Sequence, residues 1–262
     1  MNEDNKIVAG QILKAASVAA NTVSDEDMKA INRFTLKELT ADEVFTFKVK
    51  MADNSLDDRN FAPFTLKALK QLEKLYVGRT VGKDHRMAAD NQCARIYATA
   101  LTESTKTNGV NGEKVYDLTA KCYMVRTEAN KSLIAEIEAG IKREVSTSCS
   151  CSKVICSICG TDNTKDYCRH WCGSTYDTKD GKKTCYMLLD EIKDAYELSF
   201  VAVPAQPQAG TYKAFGNKVE YFAAGNKETS ETGAVCAQDE AKTALHIAKE
   251  FLYLESEEFD HE

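Results

Sequence analysis

The clearest pattern in the chain lies between Glu43 and Met51, where Phe45, Phe47, Val49 and Met51 alternate with Thr46, Lys48 and Lys50. A period of two collects the apolar set on one face, so this stretch predicts a half-buried strand. An Asp/Asn-rich turn follows (Asp53, Asn54, Asp57, Asp58, Asn60). Pro63 then opens a helix whose positions Leu66, Leu69, Leu72 and Tyr76 keep the helical period. Gly78 and Gly82 break that helix and bracket a loop ending in Asp84-His85. Two strands are predicted next, Cys93–Leu101 and Lys114–Arg126, with an Asn/Gly-rich hairpin loop over residues 108–112. Leu133, Ile134, Ile137 and Ile141 form a second amphipathic helix with Gly140 as its stop, and a short strand starts near Arg143 and runs through Val145 to Ser148.

A cysteine-rich segment, Cys149–Cys185, interrupts this pattern before the next apolar strand, Glu197–Val203, which Pro204 and Pro207 end. Residues 214–233 read as a linker, and Asp239–Leu254 as a final helix. Residues 1–30 are alanine-rich and predict a loosely attached helical extension. Strands and helices mix without regular βαβ alternation. The expected fold is therefore α+β around a mixed or antiparallel sheet, occupying residues 31–213 with the 149–185 insert inside it. A linker and acidic C-terminal helix fill residues 214–262.

Composition narrows the class. With 262 residues and 43% hydrophobic content, the chain can bury a full core and is not a disordered polymer. No apolar run approaches the ~18–20 residues of a membrane span, and no apolar stretch follows the charged N-terminus as in a secretory signal. A soluble protein is expected, working in the compartment that made it. The formal charge of −6 is concentrated at the end: residues 237–262 hold eight acids against two bases, which leaves the remainder neutral. Without a basic footprint, nucleic-acid binding is not expected.

Ten cysteines in such a chain argue against a disulfide framework, and seven of them fall between Cys149 and Cys185. Cys156-Ser-Ile-Cys159-Gly160 is a knuckle, two thiols three residues apart followed by a glycine that lets the chain turn back. Cys168-Arg-His170 adds two more donors nine residues on, with Cys172 and Cys185 as substitutes. Zinc takes four N/S ligands in a tetrahedron, so Cys156, Cys159, Cys168 and His170 are the expected set. A closed site leaves no position for substrate. Its role would be to staple an insert too small for a core of its own.

Few residues are left for chemistry. Of the four histidines, His170 goes to the metal and His246 and His261 lie in the tail, which leaves His85 on its glycine-flanked loop. A serine nucleophile needs such a base and a third group to hold the imidazole; Ser146, Ser148 and Ser199 lie near predicted strand ends. No GxxxxGK[ST], GxGxxG or GxSxG is present. Asp57 and Asp58 suit a turn better than an acid–base pair.

Several segments, in order, resemble one family. They are Asp57-Asp58-Arg59-Asn60 with Phe61; Gly78-Arg-Thr-Val-Gly82-Lys-Asp84-His85; Gln92-Cys-Ala-Arg95-Ile-Tyr97; Gly140-Ile-Lys-Arg-Glu144-Val145-Ser146; and Tyr196-Glu197-Leu-Ser-Phe-Val-Ala-Val-Pro204-Ala205. Over residues 31–213 the chain looks like the capsid maturation (prohead) proteases of tailed phages and prophages, relatives of the herpesvirus assemblins. The resemblance implies a serine endopeptidase on a distorted β-barrel flanked by helices, herpesvirus-protease-like, with the zinc knuckle as a subgroup insert. It implies His85 as general base, Ser146 as nucleophile and Glu197 as the orienting acid, with Glu144 and Asp194 as competing acids. Phage scaffold and major capsid proteins would be its substrates and partners, self-cleavage and a homodimer are possible by analogy, and the setting would be an assembling procapsid in the host cytoplasm. Family members often carry glycine two residues after the nucleophile; Ser148 stands there in this chain and stays open as an alternative nucleophile. Two other readings are an inactive scaffold or core protein of the same fold and a zinc-knuckle protein-binding module.

Overall fold

Thr65 starts the best-defined helix: its side chain accepts the Ala68 amide and caps α2, Leu66–Leu75. Ala68, Leu69, Leu72 and the following Tyr76 are fully buried, the stripe that their spacing predicts. In the computed structural model, which describes residues 23–215 and 218–221, this helix packs against a single mixed sheet. Before it come α1 (Asp25–Asn32) and β1 (Val44–Asp53). After it come β2 (Thr80–Lys83), β3 (Ala94–Glu103), β4 (Tyr116–Val125), α3 (Lys131–Glu138) and β5 (Val145–Cys156). The hairpin β6–β7 (Thr175–Thr178, Gly181–Thr184) stands apart from the sheet. The chain then returns through β8 (Met187–Phe200), β9 (Gly210–Phe215) and β10 (Lys218–Tyr221).

The sheet order is β10-β9-β1-β4-β3-β2-β8-β5, and β2–β8 is its one parallel pair among the described residues. The sheet curls into a half-barrel. At its far edge the chain entering β5 reaches back to β9, through a Glu144–Gly210 bridge and the Thr211 amide on the Arg143 carbonyl at 2.8 Å. Gly210 permits this approach, because a Cβ there would stand 2.9 Å from the Arg143 oxygen.

One core lies against one face of the sheet. It takes Phe45, Phe47, Val49 and Met51 of β1, Val81, Val145, Leu198 and Phe200 of the β2–β8–β5 edge, and the buried stripes of α2 and α3. The alternation read in β1 therefore holds, and a bulge between Lys50 and Ala52 then changes the register. On the other side, Ile31 of α1 packs with Val44, Tyr97 and Tyr123.

Three elements depart from the sequence reading. Thr80–Lys83, expected as loop, is the strand β2, held by β3 and β8. The strand expected near 143–148 runs twelve residues to Cys156, so Cys149 and Cys151 belong to β5. The strand expected at Glu197–Val203 is the end of a fourteen-residue β8 that begins at Met187 and stops at Phe200. The final helix Asp239–Leu254 and most of the N-terminal extension lie outside the described residues; the sheet itself continues past residue 213 through β9 and β10. Among the described residues, no helix is long and apolar enough to cross a membrane.

Candidate active site and metal centre

The two long strands β5 and β8 pair antiparallel along their lengths, with Ser146 opposite Ser199 and Ser148 opposite Glu197. Directly opposite residues of an antiparallel pair share a face. The neighbouring strand β2 brings Thr80 beside Glu197 and Gly82 beside Ser199. These residues form a polar row on the face turned away from the core, because their chain neighbours Val81, Leu198 and Val145 belong to it.

Past Lys83 the chain folds over this row. Asp84 and His85 both take left-handed backbone, with φ of 56° and 52°. Consecutive non-glycine residues in that region cost about 1–3 kcal/mol each and persist only where the surroundings hold them. The Asp84 amide bonds to the Phe200 carbonyl at 2.9 Å, and the His85 amide to Ser199 Oγ at 3.1 Å. From inside the loop, the buried Asn91 donates through Nδ2 to the carbonyls of Lys83 and Arg86, both at 2.8 Å. Gly82 leaves room for that amide, since a Cβ there would meet Asn91 Nδ2 at 3.0 Å.

So held, His85 presents Nδ1 to Glu197 Oε1 at 2.7 Å. The Glu197 side chain is 5% exposed and that of His85 is 40% exposed. A carboxylate only accepts, so Nδ1 is the donor of this bond, and in a neutral imidazole that tautomer leaves the Nε2 lone pair free. The other carboxylate oxygen, Oε2, accepts a hydrogen bond from the Ser199 hydroxyl. The competing acids are engaged elsewhere: Asp194 pairs with Arg79 at 2.6 Å and Glu144 with Arg143 at 2.8 Å. Beside Glu197 and the loop lies an open cleft of about 280 Å³, walled by Thr80, Gly82, Met87, Ala88 and Ala89. Asn91 and the Ser199 hydroxyl bond are the contacts around His85 and Glu197 that the sequence did not announce. No motif marks either, though the Glu-x-Ser spacing on one strand places both side chains on one face.

At the opposite end of β5 lies the cysteine cluster. One ligand atom from each of Cys156, Cys159, Cys168 and His170 falls within 4.8 Å of all the others. Cys156 is the last residue of β5 and is buried; the Ile158 and Cys159 amides point at its sulfur while Gly160, at φ 75°, turns the chain back. Burial pushes the Cys156 thiol up, whereas the Thr161 hydroxyl and amide pull the Cys159 thiol down to about 6. His170 Nδ1 is buried with no hydrogen-bond partner among the described residues. Three sulfurs and an imidazole converging this closely, one nitrogen lacking a partner, suit a thiophilic tetrahedral ion. The cluster can therefore hold a metal ion. Cys185, one of the possible substitutes, stays just outside it with its Sγ 3.8 Å from that of Cys156.

The insert between the strands also makes apolar contacts with the turn that precedes α2. Phe61 packs against Tyr186, ring centroids 5.9 Å apart, and against Gly173, where a Cβ would meet the ring at 2.9 Å. No family model, curated protein or solved structure matches the chain.

Proposed function

We propose that the chain is a serine endopeptidase of the capsid-maturation kind, with His85 as general base, Ser146 as nucleophile and Glu197 as the acid that orients the base. The observation that carries this is the 2.7 Å contact between His85 Nδ1 and Glu197 Oε1, made beside the strand that bears Ser146. In this reading His85 Nε2 takes the Ser146 proton as Oγ adds to a peptide carbonyl carbon. Glu197 stabilises the imidazolium so formed, which then protonates the leaving amine. Water releases the acyl group by the same steps in reverse.

Register brings both serines to the site: the His85 amide bonds to Ser199, directly opposite Ser146, and the His85 imidazole to Glu197, directly opposite Ser148. The choice of Ser146 rests on the ordered segments, in which it follows Glu144-Val145. Position 148 does not need the glycine that relatives often carry. Ser148 pairs with Glu197 just before a register shift in the β5–β8 ladder, and its backbone is not left-handed.

The curled mixed sheet and the ordered segments named above support a herpesvirus-protease-like barrel acting on scaffold and capsid protein, and on itself, inside a procapsid. The metal is zinc in a closed, structural site held by Cys156, Cys159, Cys168 and His170, and substrate chemistry stays at the other end of the strands.

Mass spectrometry of the purified full chain, incubated beside Ser146→Ala and His85→Ala, tests the reading. Self-cleavage fragments that vanish in both variants, with a fluorophosphonate adduct mapping to Ser146 in the parent, are expected. Neither fragments nor adduct would move the assignment to a scaffold protein without activity.

A further inference from the structure

Ser199 is fully buried and touches both members of the histidine–carboxylate pair. Its hydroxyl donates to Glu197 Oε2 and accepts the His85 backbone N–H at 3.1 Å. A hydroxyl has one proton to give, and this one is given to the carboxylate. Ser199 is thus unsuited to be the nucleophile, although it lies near a strand end like Ser146 and Ser148. Its proton has no route to His85 Nε2, and no peptide reaches a side chain with no exposed surface.

The same bonds supply a different role. A glutamate side chain turns about three bonds, and the Ser199 bond to Oε2 fixes the plane in which Oε1 meets His85 Nδ1. Without the Ser199 hydroxyl, the His85 amide would lose its acceptor in a left-handed conformation that a histidine adopts only under constraint. Building on the serine-peptidase reading, we infer that Ser199 is a positioning residue, whose single hydroxyl sets both the Glu197 carboxylate and the His85 backbone. It touches no substrate. The Glu-Leu-Ser sequence works as a unit because residues two apart on a strand share a face, and the parallel strand β2 delivers His85 onto that face.

Ser199→Ala and Ser199→Thr in the full chain test this, read by steady-state kinetics on a self-cleavage-site peptide and by hydrogen exchange at the His85 amide. Ser199→Ala should lower kcat about 10–100-fold and change KM less than twofold, and its His85 amide should exchange at least tenfold faster. Ser199→Thr keeps the hydroxyl and should recover most of both. A folded Ser199→Ala with parental kcat and parental exchange overturns the inference, whatever its melting temperature. If the parent cleaves nothing, the peptidase reading fails separately. The exchange comparison then decides whether Ser199 holds His85: faster exchange supports it and unchanged exchange refutes it.

Discussion

His85 and Glu197 meet through β2 and β8, the parallel pair in which Thr80 lies beside Glu197 and Lys83 beside Phe200. Five residues of chain carry the backbone from Thr80 to His85, where Nδ1 lies 2.7 Å from Oε1. The contact is therefore tied to sheet register and to the fold of one short loop. A carboxylate in this place matters by fixing the imidazole tautomer. Glu197→Gln keeps the shape but offers an amide, so Nδ1 would be held in the wrong protonation state for Nε2 to act as base. Peptide cleavage should fall by about 10²–10⁴-fold with the far-ultraviolet circular dichroism unchanged. Wild-type turnover in this variant would remove Glu197 from the site.

Asn91 gives a second test of the same loop. Its side-chain amide satisfies two carbonyls, those of Lys83 and Arg86, on either side of Asp84-His85. Asn91→Ala leaves both oxygens to find water and frees the loop to leave its left-handed turn. A loss of about 1–3 kcal/mol in urea unfolding is expected. The loss of kcat should be roughly tenfold, out of proportion to stability at temperatures where the variant is fully folded. Equal and small effects on both would show that His85 is held by other contacts.

Some of this was legible in the sequence, and the reasons differ by element. β1 alternates over Phe45–Val49 because one face meets the core, although Lys50 beyond it is buried, and α2 shows its stripe for the same reason. β5 reads Ser-Thr-Ser-Cys-Ser-Cys, with residues 146–155 all partly exposed, so no apolar period announces a strand. β8 carries Asp190, Glu191, Lys193 and Asp194 within its first eight residues, and Glu191 adopts φ 53°. Register shifts at Ser148/Cys149 and Ser150/Cys151 break the alternation again. The four residues of the Cys/His cluster were readable because knuckle spacing is local. The contact between His85 and Glu197 spans 112 residues and arises from strand pairing, which no local pattern encodes. Only the resemblance of ordered segments put the two together.

Those register shifts give the metal a consequence for the site. β5 ends at Cys156, opposite Met187, and the insert's ligands fasten that end, ~30 Å along the strand pair from Ser146. Between the two ends the ladder is interrupted twice. Chelation, or Cys159→Ser, should lower the melting temperature by several degrees, at about 2–4 °C per kcal/mol for a domain of this size. Limited proteolysis should cut first within residues 157–186. Elemental analysis should find one zinc per parent chain and none in the chelated form. Survival of full thermal stability after verified metal loss would show that the Phe61 contacts suffice to hold the insert.

Lys50 makes the most exacting demand on the fold, because its ammonium is completely buried between Asp53 and Asp117, 2.7 Å from each. Asp53 also pairs with Lys106 at 3.0 Å, and its backbone N–H and carbonyl are both bonded by Gln206, in the segment that leads from β8 to β9. Burial alone would push the Asp53 carboxyl up, but Lys50 and Lys106 outweigh it and hold the group below its ordinary value. The sign follows from linkage. A carboxyl whose folded pKa is depressed contributes stability above its unfolded value, near ~3.9, and loses it as the pH falls through the folded one. The parent should therefore lose melting temperature steeply below about pH 4. Asp53→Asn should be less stable at pH 7 and show a flatter acid limb. Lys50→Ala, which leaves two carboxylates buried together, should cost about 3–5 kcal/mol at neutral pH. It should recover part of that as acid protonates one of them, so its stability curve against pH should slope opposite to the parent's. Parallel curves for parent and both variants would show that this buried cluster does not govern the acid stability of the fold.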